Sequence, residues 1–146
     1  MAKMRRQEKR GHRLAVVEEV ADHIYSVKFI LQSLGYEVGS FAWNENYLER
    51  IASFRPGLVI VDMMIPRSGG YRVLEGLSRG PLSQIPVLAI TADAMQGEGD
   101  DVLASGGHDL LQKPYSISDL QMKLKKWLPE QEESEARKGR ERKQTR

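Results

Sequence analysis

The sequence predicts an α/β fold, a chain of five strand-helix units around a parallel sheet. Three observations predict it. Short, largely apolar runs recur at 14–17, 36–38, 58–61, 85–90 and 109–111, the central one mostly β-branched, and continuous apolarity is what a strand covered on both faces needs. Between them apolar residues return at the three- and four-residue spacing of amphipathic helices. Strand-to-strand intervals of roughly 20 to 25 residues leave room for one crossover helix each, which parallel pairing requires.

The elements follow in order. Leu14-Ala15-Val16-Val17 is a buried strand ending in Glu18 and Glu19. From Asp22 the residues Ile24, Val27, Ile30, Leu31 and Leu34 mark a first helix, and Gly35 suits its left-handed C-terminal cap. Tyr36-Glu37-Val38 gives a short second strand, and Asn44 suits the cap of a helix running to Phe54 with Leu48, Ile51 and Ala52 inward. Arg55-Pro56-Gly57 turns the chain into the central strand, Leu58-Val59-Ile60-Val61, which delivers Asp62. After Pro66 the residues Arg67-Ser68-Gly69-Gly70 read as a flexible loop before a helix carrying Val73, Leu74 and Leu77. A fourth strand ends in Thr91, and a fourth helix over 93–105 is expected to be short or labile, because Gly97 and Gly99 each cost about 1 kcal/mol relative to Ala. Asp109-Leu110-Leu111 leads to Lys113-Pro114, and Ser116 with Asp119 forms a capping box for a helix burying Leu120, Leu124, Trp127 and Leu128. The predicted product is a three-layer, flavodoxin-like (βα)5 sandwich with sheet order 2-1-3-4-5.

Composition sets the class. The 146 residues are 40% hydrophobic and 29% charged, and no apolar run approaches the roughly 20 residues a bilayer-spanning helix needs. A basic N-terminus without an apolar core is no secretory signal, and the expected location is the cytoplasm. With no cysteine, thiolate metal sites and cysteine nucleophiles are excluded. Residues 1–13 carry six Lys/Arg and one Glu, and residues 129–146 six Lys/Arg and five Glu; both segments read as solubilising tails, leaving a folded part over 14–128 with an acidic balance. That is not the footprint of a nucleic-acid-binding domain. His12, His23 and His108 lack ligand spacing, and the glycine-rich pieces match no nucleotide loop.

In the predicted strand order Glu18, Glu19 and Asp62 surround one crevice at the sheet's carboxyl edge, where open α/β sheets bind their ligands. Three close carboxylates repel one another, and a hard divalent ion such as Mg2+, which takes carboxylate oxygens and waters, answers that repulsion. Thr91 and Lys113 end the next two strands, supplying a hydroxyl and an ammonium for two oxygens of a phosphoryl group on Asp62. The implied chemistry is in-line phosphoryl transfer with Asp62 as nucleophile.

Val16-Val17-Glu18-Glu19, Val61-Asp62-Met63-Met64-Ile65-Pro66 with Gly70, Ile90-Thr91-Ala92, and Lys113-Pro114 together resemble the receiver domain of two-component response regulators, over Leu14 to about Leu128. The resemblance implies phosphorylation of Asp62 by a sensor histidine kinase or histidine phosphotransfer protein. It implies Mg2+ held by Glu18 or Glu19, Asp62 and the Met64 backbone carbonyl, contacts from Thr91 and Lys113 to the phosphoryl group, and a cis Lys113-Pro114 bond. It also implies signalling to a downstream protein target through a face of the fourth helix, fifth strand and fifth helix, in a monomer or weak dimer. The 18 residues after Leu128 are too few for a DNA-binding domain, so a stand-alone regulator is expected.

Three positions depart from the pattern. Glu19 is one methylene longer than the usual Asp, Gly69 replaces a common acid, and Leu110 stands where an aromatic side chain usually rotates inward. Glu19 and Leu110 motivate an alternative, a docking module on the same fold that is not phosphorylated. A flavin carrier would need a Ser/Thr/Gly-rich turn where Glu18-Glu19-Val20-Ala21 stands, and a haloacid-dehalogenase-type phosphatase an Asp-x-Asp where Asp62-Met63-Met64 stands.

Overall fold

The computed structural model describes residues 13–19, 21–65, 69–92 and 98–128, with the backbone alone for 21–26. Five strands, β1 (Arg13–Val17), β2 (Glu37–Phe41), β3 (Leu58–Asp62), β4 (Val87–Thr91) and β5 (Asp109–Gln112), alternate with five helices. These are α1 (Ala21–Ser33), α2 (Tyr47–Phe54), α3 (Gly69–Leu77), α4 (Glu98–Ala104) and α5 (Ile117–Trp127), with a 3-10 turn at Gly80–Leu82. All pairings are parallel, in the order β2-β1-β3-β4-β5. The predicted fold is the observed one.

Period-two alternation along the strands divides the core in two. Ala15, Val17, Val59, Val61, Val87 and Ala89 face one layer, packed with Tyr47 and Ile51 of α2, Val73, Leu74 and Leu77 of α3, and Val102 of α4. Leu14, Val16, Leu58, Ile60, Leu88, Ile90 and Leu111 face the other, packed with Val27 and Leu31 of α1 and Leu120, Leu124 and Leu128 of α5. The central strands are buried along their whole length, which is why they read as unbroken apolar runs.

Local chemistry sets the boundaries. β1 begins at Arg13, one residue before the predicted strand, because its guanidinium ties the edge together: Nε donates to Glu37 Oε2 (3.1 Å) and Nη1 to the Phe54 carbonyl (3.2 Å). Gly35 takes φ +97° after α1, as its capping role requires. Asn44 does not cap α2. Its Oδ1 instead accepts from the Asn46 N–H (3.1 Å) in a turn ahead of the helix, and Asn46 occupies the N-cap. At the far end of α2 a non-glycine residue, Arg55, adopts the left-handed conformation at φ 54°, its N–H donating back to Ile51 and Ala52.

The loop expected at 67–70 is corrected in its second half: Gly69 and Gly70 are the first residues of α3, and both are buried. A side chain at Gly69 would collide with Ile65 Cγ2 and the Trp43 ring, and one at Gly70 would meet Met63 at 3.0 Å. These glycines serve close packing rather than loop flexibility. Pro66 and residues 67–68, the first part of the fourth predicted helix, and the tails at 1–12 and 129–146 lie outside the described residues. Within them α4 is short, seven residues. At α5 the predicted capping box is present: Ser116 Oγ accepts from the Asp119 N–H (2.9 Å) and Asp119 Oδ2 from the Ser116 N–H (3.1 Å).

Candidate functional site

Register brings the predicted residues to one edge. Val17 pairs with Val61, so Glu18 comes level with Asp62, the last residue of β3. Asp62 pairs with Ile90, and Thr91, ending β4, pairs with Gln112. The Lys113 N–H donates to the Thr91 carbonyl (2.7 Å), carrying the ladder one residue past β5. Among the described residues the buried polar or charged side chains are Glu18, Asp62 and Thr91. Burying such groups is costly unless something compensates them, and here all three stand at the carboxyl ends of adjacent strands.

Both oxygens of Asp62 are engaged. Oδ1 accepts from the Met64 N–H (2.9 Å) in a turn closed within the chain, and Oδ2 pairs with Lys113 Nζ at 3.0 Å. Lys113 reaches it across the intervening strand, from just before the cis peptide that joins it to Pro114. Tyr115 also lies in the field of Asp62: burial, then that negative charge, push its phenol above the usual 10. Sequence reading gave Tyr115 no role in the site.

Thr91 differs from the rest. Strand alternation gives it the parity of Ala89, toward α2, α3 and α4, whereas Asp62 shares the parity of Ile60, toward α1 and α5. On that side Thr91 Oγ1 donates to Glu98 Oε1 at 3.0 Å. Glu98, the first residue of α4, also accepts from the Tyr71 phenol, which burial first and then the charges of Glu98 and Asp101 raise above 10. Neither Glu98 nor Tyr71 carried a sequence signal, because each occupies an ordinary position on a predicted helix. Leu110, at the strand position noted for its missing aromatic ring, packs into the same layer.

The acidic pair splits. Glu18 is buried and Glu19 exposed, and among the described residues no group of three His, Cys, Asp or Glu is arranged to hold a metal. The chemistry of the donors nonetheless fits a hard cation: two buried carboxyl groups, Glu18 and Asp62, stand at neighbouring strand ends, and oxygen donors of that kind suit Mg2+. Met64, expected to offer its carbonyl, is seen donating its N–H to Asp62. His108 is a structural residue at the other end of the sheet, its Nδ1 accepting from the Val87 N–H at 3.0 Å.

Residues 14–125 match the family described as response regulator receiver domain. Among curated relatives, two-component system protein A of Emericella nidulans is 28% identical over 86% of this chain and 19% of its own length. The phosphate regulon transcriptional regulatory protein PhoB of Rhizobium meliloti is 27% identical over 80% of this chain and 52% of its own. The response regulator MprA of Mycobacterium tuberculosis is 31% identical over 77% of this chain and 49% of its own. The chain thus spans a fifth to about half of these relatives. Among solved structures, the receiver domain of the Pseudomonas aeruginosa sensor histidine kinase PA1611, which has a magnesium ion coordinated in its active site cleft, superposes with a TM-score of 0.70 at 27% identity, over 80% of this chain and 97% of that one. The chemotaxis protein CheY4 of Vibrio cholerae shares the fold, with a TM-score of 0.71 at 22% identity over 80% of this chain and 98% of its own.

Proposed function

The chain belongs to the response regulator receiver domain family, and from that premise we propose that it is a phosphoacceptor in two-component signalling, modified on Asp62 by a histidine kinase or histidine phosphotransfer protein. The observation that carries the reading is Lys113 Nζ held 3.0 Å from Asp62 Oδ2, with Glu18 and Thr91 buried at the flanking strand ends. In the transfer an Asp62 oxygen forms a bond to phosphorus while the bond from phosphorus to the donor histidine nitrogen breaks, and the electron pair leaves on that nitrogen. Lys113 is placed to follow the charge onto a phosphoryl oxygen, and the Met64 N–H keeps the carboxylate oriented. Mg2+, held by Asp62, Glu18 or Glu19 and the Met64 carbonyl, would neutralise charge on the incoming group.

Output is assigned to protein contacts. Leu103 on α4 and Ile117 and Met122 on α5 are exposed large apolar side chains flanking β5, a surface suited to a downstream protein. The working state is a monomer or weak dimer in the cytoplasm, and no helix among the described residues is long and apolar enough to cross a membrane.

The deciding experiment is intact-mass analysis after incubation with acetyl phosphate and Mg2+. Wild type should gain one phosphate and Asp62→Asn none; an unmodified wild type would overturn the reading. The exposure of Glu19 and the presence of Leu110 where an aromatic ring is usual favour a second reading, a docking module that is not phosphorylated and binds no ion. In that case Mg2+ titration leaves the Glu18, Glu19 and Asp62 amide resonances unmoved.

A further inference from the structure

We propose that Glu98 is a positioning residue for Thr91: it holds the Thr91 hydroxyl on the α4 side of the sheet until a phosphoryl oxygen on Asp62 competes for it, and Tyr71 senses the exchange. The inference rests on the phosphoacceptor reading and assigns the regulation of that site to two residues outside it.

Strand parity separates the two groups. Asp62 and Thr91 end adjacent strands with opposite alternation, so the hydroxyl begins on the layer of α2, α3 and α4 and the carboxylate on the layer of α1 and α5. The hydroxyl has one proton to donate, and here Glu98 Oε1 takes it at 3.0 Å. A phosphoryl oxygen is likewise an anionic acceptor, so the two compete for one donor. Loss of Thr91 leaves Glu98 with Tyr71 as its remaining described hydrogen-bond donor, at the start of a helix whose buried residue among those described is Val102. The consequence appears at the junction of α3 and α4. It needs no aromatic residue on β5, where Leu110 stands, because Tyr71 presents a phenol from α3 instead.

Beryllofluoride, a tetrahedral mimic of the phosphoryl group, gives the test on the full chain with Mg2+. Glu98→Gln weakens the competing acceptor and should tighten beryllofluoride binding about fivefold, the worth of one hydrogen bond. In a Thr91→Val background the same substitution should gain less than about twofold, because only through-space charge relief remains. In wild type the Tyr71 ring resonances should shift on saturation, and in Thr91→Val they should stay. An equal gain in both backgrounds, no gain in either, or a Tyr71 ring that does not move in wild type overturns the positioning role while leaving Asp62 as phosphoacceptor. A wild type that takes up neither beryllofluoride nor phosphate overturns both.

Discussion

Lys113 Nζ and Asp62 Oδ2 stand 3.0 Å apart although 51 residues separate them in sequence, and the parallel register of β3, β4 and β5 alone brings them together. The pair is shielded, with the lysine side chain 22% and the aspartate 8% exposed, so its partners cannot be exchanged for water at little cost.

Replacing Lys113 by Met should therefore slow phosphorylation of Asp62 by about 10- to 100-fold, the range for losing one charged hydrogen bond. Lys113→Arg should recover part of the rate. The time course of mass gain with acetyl phosphate checks both, and a Lys113→Met chain labelled at the wild-type rate would remove the lysine from the mechanism.

Gly69→Ala should destabilise the fold by about 1 to 3 kcal/mol, despite alanine's better helix propensity, because the new methyl meets Ile65 and the Trp43 ring in a packed site. A lower urea midpoint with an unchanged slope is the expected result. An unchanged or raised midpoint would show that Trp43 yields.

Asp109 sets an acid limit on stability. Burial alone would raise its carboxyl, but hydrogen bonds from Lys123 (2.8 Å), Trp127 Nε1 (2.7 Å) and the Leu110 N–H (2.8 Å) outweigh it and hold the group at about 2, below its usual 3.8. A carboxyl lowered in the folded state stabilises above its unfolded value and loses that contribution as pH falls through the folded one. About 2 kcal/mol should therefore be present at pH 7 and lost progressively between about pH 5 and pH 2. Urea unfolding of wild type and Asp109→Asn across that range checks it, since the variant should lack this part of the pH slope.

Much of the fold and part of the site were legible in the chain because their signals are local. A buried parallel strand announces itself as an apolar run, and residues just past such runs reach the sheet edge whatever the loops do. Glu18, Asp62, Thr91 and Lys113 were placed at the sheet's carboxyl edge that way. Gly69 was misread because a glycine required by a neighbouring ring looks identical to one required by a loop, and Trp43 lies 26 residues earlier. Asn44 was misplaced by two residues because turn and cap use the same side-chain chemistry. Glu98 and Tyr71 were missed because they meet only once α3 and α4 lie side by side, an adjacency no periodicity records.

The two helices beside β5 are fastened unequally. A capping box, two buried leucines and the hydrogen bonds from Lys123 and Trp127 to Asp109 hold α5, whereas the described part of α4 has seven residues, of which Val102 is the buried one. The opening free energies of the two helices must then differ, and amide protons on α4 should exchange with solvent well before those on α5. A surface spanning both helices is half rigid template and half adjustable, so a partner bound there can be anchored on α5 and discriminated by α4.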